Sequence, residues 1–137
     1  MYMETGVIVS AIIENDGKLL FGKKLSNVGP YPNTWHLLGG GIKQGESIID
    51  AIKREVLEES SIEITDIKPV SFDEDYEPNK CGIKTHYVFL VFKAKYKSGE
   101  LKPKSDISEL KWIDKGAISS IELNRPTIKL FKKVKLI

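Results

Sequence analysis

Three glutamates in one short stretch are the side chains of this sequence best placed to do chemistry. They are Glu55, Glu58 and Glu59. At about 100° per residue, their spacing puts all three within an arc of roughly 100° on a helix, where like charges repel each other. A divalent cation would offset that repulsion, and carboxylate oxygens are ligands that Mg²⁺ and Mn²⁺ prefer. The alternative is a solvated, glutamate-rich helix face that binds no ion.

The residues around these glutamates predict the helix that must position them. Ser47 is a candidate N-cap, and Glu46 places negative charge at the positive end of the helix. Apolar residues recur at three- and four-residue spacing and predict a stripe made of Ile48, Ile49, Ile52 and Val56. A run of glycines at residues 39–41 precedes the helix. Backbone without side chains there could approach a phosphate or a metal closely.

The stretch from Gly40 to Ile62 resembles the Nudix box, G-x5-E-x7-R-E-U-x-E-E-x-G-U, in which U is a bulky aliphatic residue. The positions that match are Gly40, Glu46, Arg54, Glu55, Val56, Glu58, Glu59 and Ile62. Ser61 departs from the pattern, because the family has its last glycine there. A glycine at that place ends a helix in the left-handed conformation. Ser61 is not a ligand position, so the expected chemistry is unchanged.

The resemblance implies both a fold and an activity. The fold is the Nudix α/β/α sandwich, an α/β fold with a mixed β-sheet between helices, in one domain over residues 1–137. The activity is metal-dependent hydrolysis of a diphosphate bond, with Mg²⁺ as cofactor and Mn²⁺ as an alternative. The metal ligands that the resemblance implies are Glu55, Glu58, Glu59 and the backbone carbonyl of Gly39. Arg54 and Glu46 would order the loop and the helix.

A loop acid is the remaining candidate for proton transfer. Members of the family often carry one acid six residues and another three residues before a tryptophan, and here these positions are Asp106, Glu109 and Trp112. In MutT-type members the first acid completes the metal site or acts as general base. We therefore expect Glu58, Glu59 or Asp106 to be the base, with Glu109 as the rival of Asp106. Exposure of both loop acids is the alternative.

Two further residues are candidates for binding the substrate. Lys24 ends a predicted strand where members of the family often hold an Arg, so it either contacts a phosphate or is a solvated strand end. Asn124, in Asn-Arg-Pro, resembles the Asn-x-Pro of MutT-type members that act on oxidised guanine nucleotides. Its amide could pair with a donor and an acceptor on a base edge, or it could only cap the following helix.

The rest of the chain predicts the elements of the sheet. Strands are expected at residues 6–13, 19–24, 35–38, 64–72 and 84–96, and an amphipathic helix at residues 126–137. Residues 14–17 and 78–82 are predicted turns, and residues 25–34 a loop. The acidic run at residues 73–77 is expected to be a solvated loop and not a second metal cluster. His36 is expected to be a strand residue and not a ligand.

Composition bounds the class of protein. The chain has 137 residues and 41% hydrophobic residues, which fits one globular domain, and its net charge of +2 is too small to imply nucleic-acid binding by itself. The lone Cys81 excludes an internal disulfide and fits a reducing compartment. Neither a signal peptide nor a membrane span is evident, so a cytoplasmic location is expected.

Three functions remain open at this point. The first is a MutT-type pyrophosphohydrolase of nucleoside triphosphates, including oxidised purine nucleotides, that releases a nucleoside monophosphate and pyrophosphate. The second is a hydrolase of ADP-ribose or a nucleotide sugar. The third is a non-catalytic nucleotide-binding module, although such modules usually lose glutamates of the box. The expected partner is a nucleoside diphosphate-linked small molecule, without nucleic acid polymer or membrane, and the chain would act as a monomer or homodimer.

Overall fold

The computed structural model describes residues 3–25, 31 and 33–137. Within these residues the chain forms seven strands, two α-helices and one 3-10 helix. The strands are β1 (Glu4–Asn15), β2 (Lys18–Lys24), β3 (Trp35–His36), β4 (Leu38–Gly41), β5 (Glu63–Pro78), β6 (Lys84–Ser98) and β7 (Ile107–Asp114). The helices are α1 (Ile48–Ser60), the 3-10 helix (Lys115–Ser120) and α2 (Arg125–Lys133).

One mixed sheet organises these elements. Its order is β3-β2-β1-β6-β5, with β4 paired to β1 and β7 paired to β2. The pairing of β1 with β6 is parallel, whereas the other strand pairs are antiparallel. The apolar character of β6 on both faces predicted an interior strand, and β6 indeed lies between β1 and β5.

The two helices cover opposite faces of this sheet. Successive side chains of β1 alternate between the faces. On one face Val9 and Ala11 pack in the same core cluster as Ile52 and Val56 of α1. On the other face Ile12 packs in a second cluster, together with Leu130 and Phe131 of α2. The fold is therefore the α/β sandwich with a mixed sheet that the sequence predicted.

The prediction for the acidic run at residues 73–77 was wrong. These residues belong to β5, which stays paired with β6 as far as Pro78 opposite Lys84. Asp73 and Asp75 point toward α2, where they form ion pairs with Lys129 and Arg125 at 2.8 Å and 2.6 Å. The cations of α2 offset part of this charge, although exposed pairs of this kind contribute at most about 1 kcal/mol each. The backbone pairing with β6 makes the segment a strand.

Other boundaries also differ from prediction. Ile48 and Ile49 are 40% and 38% exposed, since the buried face of α1 begins at Ala51. The strand at residues 35–38 divides at Leu37 into β3 and β4, and α2 ends at Lys133. The predicted loop at residues 25–34 lies mostly outside the described residues. None of the helices described in the structure is long and apolar enough to cross a membrane.

Candidate active site

One cavity of about 530 Å³ brings together most of the predicted site residues. Those that line it are Lys24, Gly39, Glu55, Glu58, Glu59, Asp106 and Asn124. The three glutamates of α1 line one part of it, which we call the carboxylate end. Asn124 caps α2, and the lining residues Asp73, Tyr31 and Phe89 contact α2 or pack in its core cluster, so we call the part that these four line the α2 end. Arg54 and Glu46 are not among the lining residues.

Arg54 ties the loop to the glutamates of the helix. Its Nε and Nη2 donate to the two carboxylate oxygens of Glu46 at 2.6 Å and 2.9 Å. Its Nη1 donates to Glu55 at 2.7 Å and to Glu58 at 3.2 Å. Hydrogen bonds from Arg54 and from the Lys43 N–H lower the pKa of Glu46 to about 2. This geometry is what an ordering role for Arg54 and Glu46 requires, and it leaves both outside the cavity.

Glu59 is the most buried of the three glutamates. It is 5% exposed, and its Oε1 accepts a hydrogen bond from the Gly39 N–H at 2.9 Å. Burial raises the pKa of Glu59 to about 8, and the negative charges of Glu55 and Asp106 also raise it. The hydrogen bond from the Gly39 N–H acts in the opposite direction. A cation at this end of the cavity would favour the ionised form.

Two glycines of β4 allow close approach to β1 and to Glu55 of α1. A Cβ on Gly40 would collide with the carboxylate of Glu55. A Cβ on Gly39 would collide with the backbone carbonyl of Val9 in β1. The carboxylate of Glu55 therefore lies directly against the glycine backbone, in a cradle that any side chain would fill.

The donor set of the carboxylate end fits a hard divalent cation. Among the described residues, no group of three or more acids, histidines or cysteines is already arranged around one point as metal ligands. Hydrogen bonds engage one oxygen of each glutamate, namely Oε1 of Glu55, Oε2 of Glu58 and Oε1 of Glu59. The second oxygen of each carboxylate remains for a ligand. Oxygen-only donors of this kind suit Mg²⁺ or Mn²⁺.

The structure distinguishes the two loop acids. Asp106 lines the cavity just before β7, and its charge contributes to the raised pKa of Glu59. Glu109 lies on β7 opposite Lys23, is exposed and does not line the cavity. Lys24 lines the cavity, and its charge acts to lower the pKa of Glu59. Asp106 and Lys24 are therefore close to the carboxylate end, whereas Glu109 is not.

Asn124 caps α2 and also faces the cavity. Its Oδ1 accepts hydrogen bonds from the N–H of Thr127 at 2.9 Å and from the Thr127 hydroxyl. Its own N–H donates to the carbonyl of Trp35 at 2.9 Å, which attaches the start of α2 to β3. The side-chain amide N–H groups of Asn124 donate to no described residue. Capping and substrate binding are therefore compatible, because they use different atoms of the amide.

Sequence reasoning missed several residues of the cavity. His36 lies on β3 as predicted, and its Nδ1 donates to the carbonyl of Leu37 at 2.7 Å. It also lines the cavity, and its Nε2 is buried without a hydrogen-bond partner among the described residues. Phe89 was not a candidate, and Asp73 was considered only within the acidic run at residues 73–77, for which a solvated loop was expected. Acids stand at four of the five positions from Asp73 to Glu77, so the run shows no clear alternation, and no local signal for a strand could have identified Asp73.

Comparisons with known proteins agree with this architecture. A protein family described as "NUDIX domain" matches residues 4–133. The "Nucleoside triphosphatase NudI" of Enterobacter sp. (strain 638) is 29% identical over 131 residues, which are 91% of this chain and 93% of the relative. A MutT NUDIX hydrolase from Burkholderia pseudomallei has a TM-score of 0.82 at 24% identity, covering 96% of this chain and 98% of that one. The NUDIX domain of Shewanella oneidensis NrtR, complexed with ADP ribose, has a TM-score of 0.73 at 16% identity, covering 98% and 88%.

Proposed function

Because this chain belongs to the NUDIX domain family and is a pyrophosphohydrolase of that family, we propose that its substrate is a nucleoside triphosphate, which it cleaves to a nucleoside monophosphate and pyrophosphate. The observation that carries the proposal is that one cavity is lined both by the three glutamates of α1 and by Asn124 at the start of α2. A diphosphate at the carboxylate end and a base at the α2 end would occupy both. The similarity to a relative named as a nucleoside triphosphatase supports the same substrate class.

Glu55, Glu58, Glu59 and the carbonyl of Gly39 would hold Mg²⁺ or Mn²⁺, which neutralises phosphate charge and acidifies water. The chain's own residues have distinct tasks around that ion. Arg54 fixes the carboxylates of Glu55 and Glu58 through its Nη1. Lys24 contacts a phosphate oxygen, and Asp106, or alternatively Glu58 or Glu59, accepts the proton of the attacking water.

Asn124 contacts the base at the far end of the substrate. Its amide N–H groups donate to an acceptor on the base edge, such as a carbonyl oxygen. Oxidised purine nucleotides are candidate substrates, because the Asn-x-Pro pattern resembles that of MutT-type members. We place the enzyme in the cytoplasm, where an exposed free thiol such as that of Cys81 stays reduced.

A substrate panel tests this proposal. Release of pyrophosphate and monophosphate is measured with Mg²⁺ from the common and 8-oxo nucleoside triphosphates, ADP-ribose and nucleotide sugars. We expect turnover of triphosphates that stops in EDTA, returns with Mg²⁺ or Mn²⁺, and is lost in Glu58→Gln. Glu100→Gln is the matched control, since Glu100 is exposed in the loop after β6.

The other outcomes point to the alternative functions. Turnover of ADP-ribose or a nucleotide sugar alone would contradict the triphosphate proposal and leave the role of the carboxylate end intact. Nucleotide binding without turnover of any substrate would favour a binding module over an enzyme of this substrate class.

A further inference from the structure

The carboxylate of Asp73 is an unexplained charge at the α2 end of the cavity. Its Oδ1 accepts hydrogen bonds from the Glu74 N–H at 2.9 Å and takes part in the ion pair with Lys129 at 2.8 Å. Its Oδ2 is buried and accepts no hydrogen bond from any described residue. The side chain is 13% exposed and lines the cavity. One oxygen of this carboxylate is therefore fixed, and the other lacks a donor.

The charge makes the missing donor important. Burial would raise the pKa of Asp73, but the hydrogen bonds from Lys129 and from the Glu74 N–H lower it below its usual value. The group is thus an anion at neutral pH, and a buried anionic oxygen without a donor costs free energy. The cations of α2 that face it do not supply that donor. Lys129 pairs with Oδ1, and Lys133 donates to the carbonyl of Phe72 at 2.8 Å.

The neighbours of Asp73 have the chemistry of a site for a planar heterocycle. Phe89 lies directly opposite on β6, and the rings of Phe89 and Tyr87 stack with centroids 6.2 Å apart. Tyr31 lines the same cavity, held by a 2.7 Å hydrogen bond from its hydroxyl to Asp75. Asn124 contributes amide N–H donors. The α2 end therefore offers aromatic surface, one anionic acceptor and one neutral donor.

We propose that Asp73 is a specificity-determining residue whose Oδ2 accepts a hydrogen bond from an N–H on the pairing edge of the nucleobase. Asn124 donates to the neighbouring carbonyl or ring nitrogen of the same edge. A base that lacks an N–H leaves the carboxylate oxygen unpaired in the complex, and sites built to pair a polar group reject such analogues. This inference rests on the proposed function, because it assigns the base contact of the same substrate.

The test compares each substrate with an analogue whose N–H donors are methylated. Suitable pairs are UTP with 3-methyl-UTP, CTP with N4,N4-dimethyl-CTP and ATP with N6,N6-dimethyl-ATP. For the wild type we expect kcat/KM to fall about 10- to 100-fold on methylation, mainly through KM. In Asp73→Asn and Asp73→Ser we expect kcat/KM for the parent nucleotide to fall by a similar factor. The ratio of kcat/KM between the parent and its methylated analogue should then approach one.

Two control variants separate the base contact from charge and ion pairing. Asp66→Asn removes an exposed carboxylate from the same strand, at a position whose φ of 53° suits Asn, and it should keep the wild-type ratio. Lys129→Met removes the ion pair but keeps Asp73 Oδ2 as acceptor, so it should still prefer each nucleotide over its methylated analogue. Loss of this preference in Lys129→Met would overturn the assignment to Oδ2.

The remaining outcomes decide between this inference and the proposed function. The inference alone is overturned if the wild type hydrolyses a triphosphate and its methylated analogue with the same kcat/KM. It is also overturned if both Asp73 variants keep the wild-type ratio of these two values. Absence of triphosphate turnover contradicts the proposed function. In that case, dissociation constants of the same pairs on the Glu58→Gln background decide the inference: equal constants overturn it, and weaker binding of the methylated analogue supports it.

Discussion

Arg54 holds Glu46 with two hydrogen bonds, from Nε to Oε2 at 2.6 Å and from Nη2 to Oε1 at 2.9 Å. The same guanidinium reaches Glu55, Glu58 and the carbonyl of Gly41. A planar fork of donors can serve all these acceptors, whereas an ammonium group is a single point of charge. Arg54 therefore sets the relative position of the loop before α1 and the carboxylates on it.

Replacing Arg54 by Lys should impair catalysis although it keeps the charge. Lys cannot make the two parallel hydrogen bonds to Glu46 and also hold the two glutamates, so the carboxylates lose their fixed positions. Small displacements of catalytic groups cost up to about 100-fold in rate, and we expect kcat to fall about 10- to 100-fold. Steady-state kinetics at saturating Mg²⁺ measure the effect, with Lys53→Arg on the exposed face of α1 as control. Wild-type kcat in Arg54→Lys would show that charge alone suffices.

The position of Asp106 in the cavity predicts that it, and not Glu109, takes part in the reaction. Asp106→Asn keeps the shape of the side chain and removes its capacity to accept a proton. General-base catalysis contributes roughly 10²- to 10⁴-fold, so kcat should fall at least about 100-fold with little change in KM. Glu109→Gln should retain wild-type kinetics. Equal losses in the two variants would mean that the loop acids act through stability and not through chemistry.

Ser61 is expected to cost stability at the end of α1. It has a φ of 67° in the left-handed region, and its N–H donates to the carbonyl of Leu57. A residue with a Cβ is strained there, so Ser61→Gly should raise the free energy of unfolding by about 0.5–1 kcal/mol without changing kcat. Urea denaturation measures the change. Ser119→Gly, in the 3-10 helix, should not stabilise the protein, and equal gains in both variants would contradict the argument.

The buried His36 predicts a loss of stability in acid. Burial lowers its pKa from 6.5 to about 4. Between these values the unfolded chain binds a proton that the folded chain excludes, so the free energy of unfolding falls as pH falls from 6.5 toward 4. The full effect of this one group is about 3 kcal/mol. Unfolding of the wild type and of His36→Gln is compared across this range.

The His36→Gln variant should lose that part of the pH dependence. Its free energy of unfolding should therefore rise relative to that of the wild type as pH falls. His86→Gln is the control, because His86 is the other histidine and pairs with Glu74 at 2.6 Å. A constant difference in the free energy of unfolding between His36→Gln and the wild type at all pH values would show that folding does not shift the pKa of His36.

Local spacing explains why the carboxylate end could be predicted from the sequence. Glu55, Glu58 and Glu59 lie within one turn and a half of a helix, and a helix fixes the relative directions of such neighbours. The N-cap at Ser47 was also predicted, because a cap depends on a few adjacent residues. The left-handed conformation was expected of the glycine that the family has at position 61, and Ser61 adopts it as well. No long-range contact was needed for any of these expectations.

The α2 end could not be predicted in the same way, because its contacts join distant segments. Asp73 becomes a lining residue only when β5 pairs with β6 and α2 packs across it. The charge run suggested solvent exposure, but pairing with β6 overrode that local signal. Asn124 was recognised through a resemblance, and its attachment to Trp35 depends on a contact between residues far apart in the sequence.

The parallel pairing of β1 with β6 has a consequence for how the chain acquires its structure. Glu4 pairs with Thr85 and Glu14 with Lys95, so the centre of the sheet joins segments about 80 residues apart. Closing so long a segment slows folding relative to folds built from local contacts. During translation at roughly 5–20 residues per second, β1 must wait several seconds for its partner. In that interval its apolar residues can pair only with the partners that are synthesised earlier, β2 and β4.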